Sequence, residues 1–383
     1  MAIYLDCNAT TPVEPSVTAI VTRFVERDFG NAASPIHDYG VFALTAVEHA
    51  RRQVAQVVDA RPDEVLFTSG ATESNNLAIL GLAQAGRLSG RRHIITTAIE
   101  HKAVLEPCEE LASQGFDVEI LPVGTDGRFD PQHLADALRP DTLLVSTMQA
   151  NNETGVLQSL AAAAHILADH GAWWHVDAAQ GFGKDFEPLR NRRINMISLS
   201  GHKIYGPKGI GALIARKIDK QFPPLRSLMF GGDQEQGLRP GTLPVPLIAG
   251  LGEAAKLAVR DHDERRAKCL TFRNRVRTAL ASLGAEQNGD DACTLPHVIN
   301  VSLPGISSDK AINALKRVIA VSSTSACTSH TRLPSHVLMA MGRSPGQVES
   351  SIRLSWCHMT PDVDWNAVTD ILSTLRNKER STP

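Results

Sequence analysis

Ser200-Gly-His-Lys-Ile-Tyr-Gly-Pro-Lys-Gly-Ile-Gly211 is the stretch from which the fold is read. Met196-Ile-Ser-Leu-Ser200 in front of it is a short apolar run of strand type. The glycines at 201, 206, 209 and 211 mark a loop. Gly211-Ala-Leu-Ile-Ala215 then resumes as a strand. Lys203 therefore sits just past a strand end. A lysine held in such a loop can be desolvated and form a Schiff base. Taken alone, a solvated surface lysine is the commoner outcome.

Outward from this stretch the same rhythm repeats. Residues 65–68, 93–97, 118–122, 142–147 and 173–177 read as strands. Helical stretches follow near 72–85, 102–114, 130–138 and 160–170. Alternating βα units imply an α/β fold with a mostly parallel sheet. Counting 196–200 and 211–215, the sheet is expected to hold seven strands. Such sheets bind ligands beyond the carboxyl ends of their strands. From 246 to 283 the pattern reads as one long connecting helix, and 297–302 and 351–355 as strands of a smaller α+β unit. The expected division is 15–257 for the large domain, with 1–14 and 258–383 forming the small one. The polar tail, 377–383, is expected to fray.

Composition narrows the function classes. The chain has 383 residues, 43% apolar and 21% charged, ordinary for a globular protein. Lys plus Arg is 39 and Asp plus Glu is 41, a net charge of −2. Direct nucleic-acid binding is not expected at that balance. No apolar run is long enough for a membrane span. The start, Met1-Ala-Ile-Tyr-Leu-Asp6, lacks the basic and apolar regions of a signal peptide. The cysteines at 7, 108, 269, 293, 327 and 357 form no C-x-x-C pair, so no metal site is expected. Scattered thiols fit a reducing cytoplasm.

Several polar groups cluster where strands end. Asp177 closes the strand 173–177 and can pair with a pyridinium nitrogen, or else serve as a cap. Gln180 can bond a ring oxygen or simply be a loop amide. Thr68-Ser-Gly-Ala-Thr-Glu-Ser-Asn75 puts Ala71 and Thr72 at a helix N-terminus, a ready phosphate site and equally an ordinary cap. His101 follows a strand, as does Ala150-Asn-Asn-Glu-Thr-Gly155 with Asn152. Arg353 can clamp a carboxylate through two parallel hydrogen bonds, or form a salt bridge. Cys327, within Ser325-Ala-Cys-Thr-Ser329, has small hydroxyl neighbours. That setting suits an exposed nucleophilic thiol or an incidental one.

Together these segments resemble the class V, fold-type I pyridoxal phosphate (PLP) enzymes, and within them the NifS/IscS-type (group I) cysteine desulfurases. The matching segments run from Tyr4-Leu-Asp-Cys-Asn-Ala-Thr-Thr-Pro12 to Ser351-Ile-Arg-Leu-Ser355. They include Glu100-His101, Asn151-Asn-Glu-Thr-Gly155, His175-Val-Asp-Ala-Ala-Gln180, Ser200-Gly-His-Lys203 and Arg239-Pro-Gly-Thr-Leu-Pro244.

The resemblance implies conversion of L-cysteine to L-alanine and a persulfide on Cys327, destined for a sulfur-acceptor protein. It implies PLP on Lys203, with His101 against the ring and assisting proton transfer. Asp177 would hold the ring nitrogen and Gln180 the ring oxygen. Ala71, Thr72, Ser200 and His202 would hold the phosphate, and Asn152 would lie against cofactor and substrate. Arg353 would take the substrate carboxylate, with Asn31 contributing. Thr242 would reach the phosphate of a neighbouring subunit, implying a homodimer. The chain departs from the family pattern at Gly30-Asn-Ala-Ala-Ser-Pro35, at Gly201 and at Pro240. The sulfur pathways to weigh are iron–sulfur assembly, thionucleoside synthesis and DNA phosphorothioation. Competing readings are another PLP lyase, such as a selenocysteine lyase, and a non-catalytic protein that docks a sulfur acceptor.

Overall fold

The computed structural model describes residues 1–323 and 334–381. Its strands are β1 (Ile3–Tyr4), β2 (Val65–Thr68), β3 (His93–Thr97), β4 (Asp117–Leu121), β5 (Thr142–Met148), β6 (Trp173–Asp177), β7 (Met196–Ser200), β8 (Gly211–Ala215), β9 (Glu286–Gln287), β10 (Val298–Ser302), β11 (Ile319–Ala320), β12 (Ser322–Ser323) and β13 (Ser351–Ser355). Seven of them form the main sheet, in the order β2-β8-β7-β6-β5-β3-β4. Every neighbouring pair is parallel except those made by β8, which runs against both β7 and β2.

The exception has a covalent cause. A parallel neighbour needs a crossover of about a dozen residues or more, usually a helix. Only residues 201–210 separate β7 from β8, and they hold nothing longer than the single turn Gly201–Lys203. The chain must therefore fold straight back. This places Ser200 and Thr68 on either side of Gly211, at one edge of the sheet. The carboxyl ends of β5, β6 and β7 reach that same edge.

Both faces of the sheet are covered, so the central strands β5, β7 and β8 are buried along their whole length. One apolar cluster runs from Val17 to Leu257 and joins the sheet to helices Asp38–Val57 and Val245–Arg260. A separate cluster unites Leu5 with Cys269, Phe272, Ile299, Leu354 and Leu372. It lies on the second sheet, β12-β13-β10-β9. The N-terminus is tied in beside it, because β1 pairs with β11. Among the described residues, no helix is long and apolar enough to cross a membrane.

Two expectations are corrected. The connecting segment 246–283 is two helices, Val245–Arg260 and His262–Ala281, broken at Asp261 with φ −105° and ψ 11°. The break lets the first helix face the large cluster while Cys269, Phe272 and Val276 of the second face the other. The tail is helical as far as residue 381, the end of helix Trp365–Ser381, which Val368 and Leu372 anchor to that second cluster. The helices Pro15–Glu26 and Asp38–Val57 precede the βα rhythm and are not part of it.

The edge strand β2 has a local lock. Glu235 is buried, receives two hydrogen bonds from Arg51 at 2.7 and 2.9 Å, and accepts the Phe67 amide at 2.7 Å. Glu235 holds φ 48°, a left-handed conformation that an L-residue keeps only when its surroundings impose it. Glu235→Ala leaves the partly buried Arg51 with Glu48 as its one carboxylate partner among the described residues and strands the Phe67 N–H. Stability should fall by about 3–5 kcal/mol, read from urea unfolding of the variant against the parent.

Candidate active site

A cavity of about 610 Å³ opens at the sheet edge where β5, β6 and β7 end. Its walls come from distant parts of the chain. The loop after β1 supplies Asn8, the N-terminus of helix Ala71–Leu80 supplies Gly70 to Thr72, and β13 supplies Arg353. His101, Asn152, Asp177, Gln180, Ser200, His202 and Lys203, each expected from the sequence, line it as well.

Asp177 ends β6 and is 6% exposed. One carboxylate oxygen accepts from Asn75 Nδ2 at 2.8 Å, the other from the Ala179 amide at 2.9 Å. Two donors fix the plane of the carboxylate. Behind it His175 is wholly buried, bonded to Ser146 and Ser198 at 2.8 Å each, and burial pushes its pKa down to about 4. The group behind Asp177 is thus a neutral imidazole.

His101 caps helix Lys102–Ser113, its Nδ1 accepting the Ala103 amide at 3.1 Å. The neutral ring therefore carries its proton on Nε2. Burial, with the Lys203 and His336 charges, holds its pKa below the usual histidine value against the pull of Asp177. Glu100 beside it is buried, accepts from the Thr97 hydroxyl at 2.6 Å and the Met148 amide at 2.8 Å, and is pushed up to about 8 by burial. Near neutrality it is a carboxylic acid.

Lys203 donates to the carbonyls of Asn8 and of Ala9, the latter at 2.9 Å. Two residues on, Tyr205 adopts φ 66°, which costs about 1–2 kcal/mol for a side chain of that kind. The conformation is held by the Tyr205 amide on Thr11 Oγ1 and by the Glu14 amide on the Tyr205 carbonyl, each at 3.0 Å. His202 Nδ1 meets Thr10 Oγ1 at 3.1 Å, and burial, with Lys203 and Lys208, pushes the ring down to about 4. The N-terminal loop 8–14 thus braces the Lys203 turn.

The helix start at Gly70 has no side-chain cap. Gly70 holds φ 157° and ψ −179°, a region open essentially to glycine. A Cβ on Gly211 would lie 2.6 Å from Gly70 Cα and 2.4 Å from the Leu199 carbonyl oxygen. Glycine at 211 is what allows the helix start to approach the β7–β8 return. The result is a cradle of backbone N–H groups with Ser200 alongside, suited to an anion.

Arg353 is buried in β13, giving Nη1 to the Asn152 carbonyl at 2.9 Å and Nη2 to Asp6 Oδ1 at 2.7 Å. Its Nε is buried without a hydrogen-bond partner, as are Asn8 Oδ1, Asn75 Oδ1 and Gln180 Oε1. Orphaned polar atoms around one cavity point to a polar occupant. The donor set fits PLP: an uncapped helix start for a phosphate, a fixed carboxylate for a ring nitrogen, and an amine for an aldehyde.

Two expected residues do not line this cavity. Asn31 is exposed, its Oδ1 accepting the Ala33 amide at 2.9 Å, and Thr242 is exposed. Cys327 lies outside the described residues. The described segments on either side of it bond residues adjacent to the cavity wall. Ser322 donates to Asp6 Oδ1 at 3.0 Å, Ser335 donates to Glu153, and His336 Nε2 meets the Glu100 carbonyl at 3.0 Å. Asn8, Asn75 and Lys208 line the cavity without having been singled out. Asn8 and Asn75 lie inside the quoted motifs, but nothing local says that an asparagine will meet a residue 102 positions away.

Residues 3–366 match the family described as aminotransferase class-V. The cysteine desulfurase IscS of Methylococcus capsulatus is 43% identical over 381 residues, covering 98% of this chain and 94% of that protein. The crystal structure of DndA from Streptomyces lividans superposes with a TM-score of 0.81 at 47% identity, covering 91% of this chain and 98% of that one. A NifS-like protein superposes with a TM-score of 0.89 at 35% identity over the full length of both.

Two outcomes test this geometry. Asn75→Ala leaves Asp177 Oδ2 without its donor, and affinity for PLP should fall about tenfold in an absorbance titration. Glu100 has a folded pKa of about 8 against 4.5 unfolded, so its contribution is complete below 4.5 and lost as pH rises through 8. Glu100→Gln should therefore remove the loss of stability that the parent shows as pH rises from 4.5 to about 8, the gap between the two growing across that window and levelling off above it.

Proposed function

Because the chain belongs to the class-V aminotransferase family, we propose that it is a PLP-dependent cysteine desulfurase. It converts L-cysteine to L-alanine and carries the sulfur as a persulfide on Cys327. The observation that carries the reading is the meeting of Lys203, Asp177 and Arg353 in one cavity. The kinship with proteins named IscS, DndA and NifS-like supports it.

Bound PLP supplies an electron sink that makes the Cα–H of an amino acid acidic. Lys203 would hold the aldehyde and, once released, would take the Cα proton at Nζ. Asp177, fixed by Asn75 and the Ala179 amide, would keep a proton on the ring nitrogen. His101, neutral with its hydrogen on Nε2, would lie against the ring and assist proton transfer. Gln180 would bond the ring oxygen, and Asn152 would border cofactor and substrate. Ala71, Thr72, Ser200 and His202 would hold the phosphate. Arg353 takes the substrate carboxylate, with Asn31 contributing from outside the cavity lining.

The Cys327 thiolate attacks the substrate sulfur. An S–S bond forms, the Cβ–S bond breaks, and Cβ gains a proton to leave as alanine. Cys327 is four residues from Ser323, a span of at most about 14 Å when extended. Ser323 follows Ser322, which bonds the same Asp6 that holds Arg353.

The chain acts as a homodimer in this proposal, with Thr242 reaching the neighbour's phosphate. Exposed apolar side chains support it: Phe29 stacked on Tyr39 at 5.4 Å, with Ile36, Phe42 and Phe230 also exposed. Residues 15–257 form the large domain, and 1–14 with 258–383 the small one that carries Cys327. The acceptor is a cytoplasmic sulfur-carrier protein serving iron–sulfur, thionucleoside or DNA phosphorothioate synthesis.

Alanine release from L-cysteine, with PLP and a reductant, tests the reading. The parent should turn over, while Lys203→Ala and Cys327→Ala should not. Release by Cys327→Ala at the parental rate sinks the persulfide step and favours a selenocysteine-lyase type of reaction. No release by the parent favours the docking-protein reading.

A further inference from the structure

A second reactive cluster lies behind the cavity, on the far side of the Asn8 loop. Cys7 and Cys357 are buried together against Tyr205. Two backbone bonds hold their strands side by side, Cys7 N to the Ser355 carbonyl at 3.0 Å and Ser355 N to the Leu5 carbonyl at 2.8 Å. The two thiols pack in one small cluster and act on each other's titration in opposite directions. Thr360 Oγ1 donates to the Cys357 sulfur at 3.6 Å. Lys184 is nearby, partly buried, and donates to His297 Nε2 at 3.1 Å.

This environment divides the labour between the two thiols. Contact with Cys7, the Thr360 hydroxyl and the Lys184 charge lower the Cys357 pKa, while the same contact and burial raise that of Cys7. Cys357 is the nucleophile and Cys7 the thiol that resolves. A small cavity of about 30 Å³ touches the cluster, lined by Lys184, Tyr205, Cys269 and His297 and bounded by the exposed Arg266. It has room for a water-sized molecule, and neither Cys7 nor Cys357 lines it, so a hydroperoxide meets the pair only when this wall opens.

We propose that Cys7 and Cys357 form a reversible disulfide that responds to hydroperoxides, a modification site separate from the persulfide-bearing thiol. The Cys357 thiolate attacks the peroxide O–O bond, becoming a sulfenic acid and releasing hydroxide. The Cys7 thiol then displaces hydroxyl from that sulfur, the S–S bond forms, and the second oxygen leaves as water. A dithiol returns both cysteines to thiols by exchange.

The disulfide has a structural consequence. The S–S distance closes to about 2.05 Å, drawing residue 7 toward the end of β13. Asn8 is the next residue. Its carbonyl accepts from Lys203 and, at 3.0 Å, from Gln180 Nε2, and its side chain donates to the Asn152 carbonyl at 3.1 Å. Oxidation therefore displaces one wall of the cavity and weakens its hold on PLP.

The test reads thiols and cofactor retention, neither of which requires desulfuration. Reduced holoenzyme is freed of reductant, treated with hydrogen peroxide, quenched with N-ethylmaleimide under denaturing conditions, and mapped by mass spectrometry. A linked peptide joining Cys7 to Cys357, lacking both thiol hydrogens and lost after dithiothreitol, is the expected result. Cys108, buried and with its pKa pushed up to about 12 by burial, should keep its label as the internal control. Cys357→Ser should abolish the link. Full labelling of both Cys7 and Cys357 at peroxide levels that oxidise Cys293 overturns the proposal, as does a link from either to Cys269. The parent alone decides this, so poor folding of a variant does not. PLP absorbance after gel filtration should fall in the oxidised parent and persist in oxidised Cys357→Ser. A disulfide with undiminished PLP overturns the coupling to the cavity.

Discussion

The return from β7 to β8 is the constraint on which the rest depends. The connection between them is too short for a crossover helix, so β8 must run antiparallel. Gly211 then lies between Ser200 and Thr68, and the missing side chain at 211 lets the start of helix Ala71–Leu80 come within touching distance of the return. One geometric necessity thereby sets an amine, a hydroxyl and a helix N-terminus around a common point. Replacing the return by a helix would make β8 parallel and carry Gly211 to the opposite edge of the sheet, away from Ser200.

Around that point the interior is polar but largely uncharged. His175 and His101 are neutral through burial, and Glu100 holds its proton for the same reason. These groups supply hydrogen bonds without competing charges. Asp177 stands among them with two donors of its own. A carboxylate prepared in this way favours a positively charged partner far more than it would in water. The orphaned atoms of Asn8, Asn75, Gln180 and Arg353 are the complementary feature, hydrogen-bonding capacity that the protein alone does not use.

The N-terminal loop joins the two cores. Leu5 packs with the second cluster, while Asn8, Thr10 and Thr11 bond to residues of the Lys203 turn or the cavity wall. Arg353 ties β13 to the same place through Asp6 and Asn152. The cavity is consequently assembled from both ends of the chain. Neither Cys7 nor Cys357 lines the cavity, but Cys7 directly precedes Asn8, whose carbonyl accepts from Lys203.

The sequence by itself determined the elements whose information is local. Apolar periodicity marks the strands of the main sheet, and the glycines of 200–211 announce the return. Lys203, Asp177, His101 and the 70–72 helix start each stand beside a strand end, where the βα pattern alone locates a ligand. The small domain was harder to read, because β9, β11 and β12 are two residues long and owe their existence to pairing partners far along the chain. The tertiary structure alone decided that the 246–283 helix breaks at Asp261, since two cores pull its halves to different faces. It alone decided that Asn75 serves Asp177, that Glu235 locks β2, and that Cys7 meets Cys357. Each of these is a contact between residues roughly 100 to 350 positions apart. Periodicity and spacing act over one or two turns of chain, whereas such contacts exist only after the sheet has closed and brought both ends of the molecule to one edge.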